Sequence, residues 1–180
     1  MSIPGFTCYF AYGSNLHLER MRARIASAQL VETAVLSHHI LKFNKRGRDG
    51  SGKCSVAEYA GHHVAGVVYR IRSSHLSRLD RIEGTGYRRR LVLVRGLQTE
   101  RAYKAHCYLA RSVAVDDDCV AYDWYRDLVV TGAEYHGLPP AYIERLKQFP
   151  VRVDPNPHRH RQQLAASRPE PGPRSRNGRR

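Results

Sequence analysis

The chain has 180 residues, 42% hydrophobic and 26% charged, a balance that bounds it to one globular domain with an ordinary core and excludes a fibre, a fully disordered chain or a repeat array. Its 30 Lys and Arg outweigh 16 Asp and Glu for a net charge of +14, and the segment from Arg152 to Arg180 alone holds eight arginines against Asp154 and Glu170, so six of those charges sit at the C-terminal end. Such a surplus attracts polyanions and anionic surfaces without specifying a nucleic-acid site.

No stretch approaches the roughly 18 consecutive apolar residues of a membrane span, and the opening MSIPGFTCYFAYGSN lacks the basic, apolar, small order of a secretory signal, so a cytoplasmic protein with no membrane partner is expected. Cys8, Cys54, Cys107 and Cys119 form no CxxC pair, which fits reduced thiols rather than disulfides or a metal site.

In chain order, Thr7 to Tyr12 reads as a short central strand of β-branched, aromatic and small residues. Gly13-Ser14-Asn15 turns into LHLERMRARI, a helix with Leu16, Met21 and Ile25 on one stripe, capped by Ser14 or Asn15. Strands follow at Gln29 to Leu36, His39 to Asn44, Ser55 to Tyr59 and Val64 to Arg70, with KRGRDGSGK as a turn-rich loop. Ser73 starts a helix that Gly84 stops, with Leu76, Leu79 and Ile82 toward the core. Strands at Arg89 to Arg95 and Ala102 to Ala110 precede helices at Tyr122 to Tyr135 and Pro140 to Phe149. Strands mostly precede the long helices, which predicts an α+β fold over residues 1–151. Beyond Val153 the run is rich in Pro, Arg, Ser and Gly, so a disordered basic tail is expected over 152–180.

Two segments carry candidate chemistry. In Tyr9-Phe10-Ala11-Tyr12-Gly13-Ser14-Asn15, a strand turning sharply into a helix start leaves backbone N–H groups free for a carboxylate or an oxyanion, although an ordinary capping turn has the same pattern. In Asp80-Arg81-Ile82-Glu83-Gly84-Thr85-Gly86-Tyr87, Glu83 falls in the last helical turn, where the dipole disfavours a carboxylate; with burial, this raises its pKa toward neutrality. Spacing alone equally accommodates a solvated Glu83 or one paired with Arg88, Arg89 or Arg90. Asp116 to Asp118, His38-His39, His62-His63 and His158 to His160 lack metal-ligand spacing and are assigned to the surface. There is no GxGxxG, Walker or GxSxG motif, so no nucleotide cofactor is implied.

Taken together, YFAYGSNL, DRIEGTGYRR and WYRDLVVTGAEYHGLPPAYIERL resemble the gamma-glutamylcyclotransferase family, in the same order and over roughly Cys8 to Phe149. The resemblance implies a small mixed β-barrel flanked by helices and the conversion of a γ-glutamyl amino acid or amine into 5-oxoproline and the free amino acid or amine, without cofactor or metal. It implies Glu83 as catalytic base and acid, Tyr9, Phe10, Ala11, Tyr12, Gly13, Ser14 and Asn15 as the substrate loop, and Tyr87, Tyr108 and Tyr125 as aromatic substrate contacts. Members are often dimers, and the resemblance extends that expectation here. The short EGTGY link leaves open the group beyond the glutamyl moiety. A different reading is a non-catalytic module of the same fold, binding RNA or an acidic partner through the basic surface and tail.

Overall fold

The structure, a computed structural model, describes residues 4–167. The β-forming run near the N-terminus becomes β1 (Phe6–Ala11), and the chain then tightens into a 3-10 turn (Ser14–Leu16) before α1 (Leu18–Arg24). Ser14 and Asn15 are therefore inside the turn rather than capping the helix. The capping position belongs to His17, whose Nδ1 accepts from Arg20 N–H at 3.4 Å.

Next come β2 (Gln29–Arg46) and β3 (Gly52–Arg72), each predicted as two strands and each continuous. The reason is a paired irregularity. Four residues of β3, Tyr59 to His62, stand against the single His38 of β2, which takes φ 57°, so the ribbon bulges without breaking. The polar residues that interrupt the apolar alternation lie on this exposed stretch.

After a 3-10 turn at Ser73–His75, α2 (Leu76–Glu83) ends at Gly84, whose φ of 73° is the stop a glycine supplies. Of the three apolar residues expected to face the core, Leu79 is fully buried and Leu76 and Ile82 only partly. Then follow β4 (Tyr87–Gly96), β5 (Ala102–Ala110), the short β6 (Ala121–Tyr122), α3 (Asp123–Tyr135), α4 (Pro140–Lys147), the short β7 (Val151–Arg152) and α5 (Pro157–Ser167).

Five strands close a barrel in the order β1-β3-β2-β4-β5. Every neighbouring pair is antiparallel except the closure, where β5 runs parallel to β1 through Cys8 with Ala105 and Tyr9 with His106. Closure gives β1 partners on both sides and removes the unpaired edges of an open sheet. Phe10, Val67, Val68, Tyr69, Ala105 and Cys107 are all buried, and strand alternation divides them between the inside of the barrel and the faces that the turn and helices cover. The β2–β4 seam has only two register pairs, Ala34 with Gly96 and Val35 with Arg95. Buried Glu32 supplements it, accepting from the Gln98 and Thr99 N–H groups and from the Thr99 and Tyr103 hydroxyls. Burial works to raise the Glu32 pKa, and these hydrogen bonds carry it below the usual carboxylate range.

Outside the barrel, α3 lies against the N-terminal turn. Gly132 makes this approach available, since a Cβ there would sit 2.5 Å from the Leu16 carbonyl carbon and 2.6 Å from His17 N. Among the described residues, no helix is long and apolar enough to cross a membrane.

The expected disordered tail is corrected in its first part: Val151–Arg152 pairs with β6, and α5 packs on α3. Asp154 fastens this segment. Its fully buried carboxylate accepts from the Trp124 indole at 2.9 Å and from Arg159 at 2.5 and 2.6 Å, while His160 meets Asp123 at 2.8 Å. The rest of the expected tail, 168–180, lies outside the described residues.

Hydrogen bonds from Arg159 hold the Asp154 carboxyl well below its ordinary value. Its contribution to stability is therefore complete above the unfolded pKa of about 4 and lost as pH falls toward the folded value. Asp154→Ala leaves the buried Trp124 N–H unpaired, and urea unfolding at neutral pH should show a loss of about 1–3 kcal/mol. The loss should shrink in acid; an equal loss at every pH would mean that the carboxylate charge contributes nothing.

Candidate active site

The turn after β1 is where the backbone changes direction, and its own bonding begins only at Leu16 N–H, which reaches the Gly13 carbonyl at 2.8 Å. The N–H groups ahead of it, on Gly13, Ser14 and Asn15, are not used within the turn. A narrow cavity of about 30 Å³ opens there, lined by Tyr9, Tyr12, Gly13, Ser14 and Asn15 from the N-terminal segment, Glu83 and Tyr87 flanking the α2–β4 link, Tyr108 from β5, Tyr125 from α3 and Cys54 from β3. Phe10 and Ala11, expected in the substrate loop, are not among the lining residues. Both are buried in the barrel core, with Phe10 on the opposite side of the strand from Tyr9.

Asn15 organises this cavity. Its amide donates to Tyr9 Oη at 2.7 Å and to Glu83 Oε1 at 2.9 Å, and its carbonyl oxygen accepts from Arg24 at 2.7 Å. Arg24 lies 3.6 Å from the same Glu83 oxygen. The other oxygen, Oε2, accepts no hydrogen bond among the described residues. The Glu83 side chain is only 16% exposed. Burial raises its pKa, against the opposing pull of Arg24, Asn15, Arg20 and Lys45.

None of the arginines expected as partners takes Glu83. Arg89 pairs instead with Asp80, whose other oxygen accepts from Tyr108 Oη at 2.7 Å. Asp80 thus holds a wall of the cavity from behind, while Glu83, three residues on, faces in.

The remaining aromatic walls are similarly fixed. Tyr12 Oη donates to the Tyr108 carbonyl at 2.5 Å, Tyr87 Oη donates to the Cys54 carbonyl at 2.6 Å, and Cys54 N–H donates to Tyr125 Oη at 3.1 Å. Burial pushes all four hydroxyls of Tyr9, Tyr12, Tyr87 and Tyr125 far above their ordinary pKa, so they remain neutral phenols. The Cys54 thiol is pushed up to about 12 by burial, which argues against a thiolate nucleophile. Cys54, Arg24, Arg20 and Lys45 were not among the candidates from sequence. A cysteine in a strand and basic residues among many carry no local signal, and only the tertiary fold brings them to the cavity.

A closed barrel with a polar, tyrosine-lined cavity at a strand-to-helix turn defines a class of small-molecule site. The model of the family "Gamma-glutamyl cyclotransferase, AIG2-like" matches residues 9–127. The human gamma-glutamylcyclotransferase is 31% identical over 155 residues, covering 82% of this chain and 79% of that protein, and the mouse gamma-glutamylcyclotransferase is 31% identical over 158 residues, covering 84% and 80%. Two solved structures, one of a gamma-glutamyl cyclotransferase and one of a human protein, superpose with TM-scores of 0.75 and 0.76 at 29% identity. Each covers 82% of this chain, which in turn covers 89% and 90% of theirs. The chain belongs to the gamma-glutamyl cyclotransferase, AIG2-like family.

Arg24→Met removes the strongest of the influences that oppose the raised Glu83 pKa. Titration followed by carboxyl carbon NMR should move further upward in this variant. An unmoved titration would mean that Arg24 does not act on Glu83.

Proposed function

We propose that this protein is a cyclotransferase that converts a γ-glutamyl amino acid or amine into 5-oxoproline and the free amino acid or amine, with Glu83 carrying the protons. The observation that supports it best is the Glu83 carboxylate itself: one oxygen held by Asn15 and Arg24, the other unengaged, in a cavity beside unused turn N–H groups.

The reaction is a ring closure. The substrate α-nitrogen attacks its own γ-carbonyl carbon, a C–N bond forms, and the bond to the distal nitrogen breaks. From ammonium to ring amide the α-nitrogen gives up two protons; from amide to ammonium the leaving nitrogen takes up two. No net proton is exchanged, so one carboxylate that accepts and returns protons is sufficient. A Glu83 pKa raised by burial narrows the gap to an α-amine near 8, which makes both transfers easier.

Because the nucleophile belongs to the substrate, the protein's larger task is holding the folded-back conformer, and orientation of this kind contributes up to about 7–11 kcal/mol. The N–H groups of Gly13, Ser14 and Asn15 supply donors for an anionic oxygen, and the neutral tyrosines supply walls, with the hydroxyl protons of Tyr9 and Tyr125 left to donate. Residues Tyr9, Tyr12, Tyr87, Tyr108 and Tyr125 are thus assigned to substrate binding. Four free thiols suit a reducing compartment such as the cytoplasm, where glutathione is among the γ-glutamyl compounds to be tried.

With γ-glutamyl dipeptides, γ-glutamyl amines and glutathione as substrates, 5-oxoproline followed by mass spectrometry should appear with the native protein. In Glu83→Gln it should fall by at least about 100-fold while the fold persists. Full turnover in that variant would sink the proton-carrying role. The kcat/KM of the native enzyme should rise with pH through the raised Glu83 pKa, because the carboxylate must be ionised to accept the first proton.

A further inference from the structure

Lys45 is an unmatched charge near the cavity, as is Arg20, whose guanidinium makes no ion pair among the described residues. Lys45 is 9% exposed, and its ammonium, with three protons to donate, makes no hydrogen bond or ion pair among the described residues. Its one polar contact is with the face of Tyr87, 4.8 Å from the ring centre. Tyr87 and Glu83 both line the cavity.

Two carboxylates lie within electrostatic reach of Lys45, those of Glu83 and Asp49. Both already have their cation. Glu83 faces Arg24, and Asp49 accepts from Lys53 at 2.8 Å and from Ser51. Lys45 is therefore a surplus charge, and exposed Arg48, whose guanidinium would lie 3.4 Å from a Cβ on Gly84, adds a second one nearby. The chain makes room for the lysine: a Cβ on Gly86 would lie 2.5 Å from Lys45 Cε and 2.9 Å from Nζ. An ammonium whose stem is buried and whose head has only a ring face for company keeps part of its hydration and is free to take an anion.

The chemistry of the proposed reaction says where that anion would come from. In a γ-glutamyl amino acid the second carboxylate hangs from the carbon that bears the leaving nitrogen, two bonds from the atom that Glu83 must protonate. It would then lie beside Glu83 and be repelled by it, unless a cation stands between the Glu83–Tyr87 link and the β2 strand. Lys45 stands there.

We propose that Lys45 is a specificity residue that binds the carboxylate of the leaving amino acid, so that γ-glutamyl amino acids are preferred over γ-glutamyl compounds whose leaving amine bears no carboxylate. This rests on the cyclotransferase reading of the same site. Burial lowers the Lys45 pKa, with Glu83 pulling the other way, and a bound carboxylate would add to the pull that favours the charged form.

The test compares γ-glutamyl-alanine with γ-glutamyl-alaninamide, which differ only at the distal carboxyl group. The native protein should favour the acid by about 10-fold or more in kcat/KM, chiefly through a lower KM, and added salt should narrow the gap. In Lys45→Met, which keeps the stem that passes Gly86, the ratio should fall about 10- to 100-fold; Lys45→Gln serves if the methionine variant does not fold. A native ratio near one overturns the proposal without any variant. So does a variant in which both substrates decline together and the ratio persists, because Lys45 would then serve the glutamyl half or Glu83 alone. If the native protein yields 5-oxoproline from neither of these nor from any other γ-glutamyl compound, the cyclotransferase reading itself fails.

Discussion

The side-chain amide of Asn15 is the junction on which the cavity depends. It meets β1 at Tyr9, α1 at Arg24 and α2 at Glu83, and in doing so uses both donor protons and its carbonyl oxygen. An aspartate could not donate and a leucine could not bond at all, so the residue type follows from the three partners. The amide is held in position by backbone, because the turn that carries it is seated against α3 at Gly132, with no side chain intervening. Barrel, turn and outer helix are thereby fixed relative to one another at the point where chemistry is proposed.

Around that junction, charge and neutrality are divided between different residue types. Five tyrosines enclose the space and stay protonated, and cations on α1 and β2 approach the one inward-facing carboxylate from different elements. Desolvation alone would push Glu83 strongly toward its neutral form, whereas three nearby cations and an amide moderate that tendency. The balance suits a carboxylate that must both take and give protons, and a more generous set of partners would hold it permanently ionised.

Much of this was legible in the residues. The strand, turn and helix at the N-terminus, the stop at Gly84 and the two helices after Ala121 follow local rules of propensity and termination. Glu83 drew notice because its place at a helix end works against its charge, but it took the family resemblance to set it apart from a solvated carboxylate. Other features are products of distance. Asn15 and Glu83 are 68 positions apart, and nothing near either one announces the other. The joined strands β2 and β3 were hidden by polar residues on an exposed bulged stretch, which imitate a loop in sequence. The helix α5 was hidden because it is mostly polar, with Leu164 packed against the core, and the segment is held by an ion pair and an indole hydrogen bond that composition does not reveal. Phe10 and Ala11 show the opposite error: contiguity with the turn suggested a binding role, but both are buried in the core and outside the cavity lining, Phe10 because alternation turns it away from Tyr9.

The Asp154 clamp also gives the last described helix an influence out of proportion to its position. Trp124, which it holds, is the immediate neighbour of Tyr125, and the two rings meet edge to face at 5.9 Å. Tyr125 in turn touches the backbone of Cys54 on the cavity wall. A mechanical path therefore runs from α5 through one carboxylate and two adjacent aromatic rings into the pocket. That series of contacts makes this outer helix the place to look for distant effects on the pocket wall of a fusion, a proteolytic cut or sequence drift.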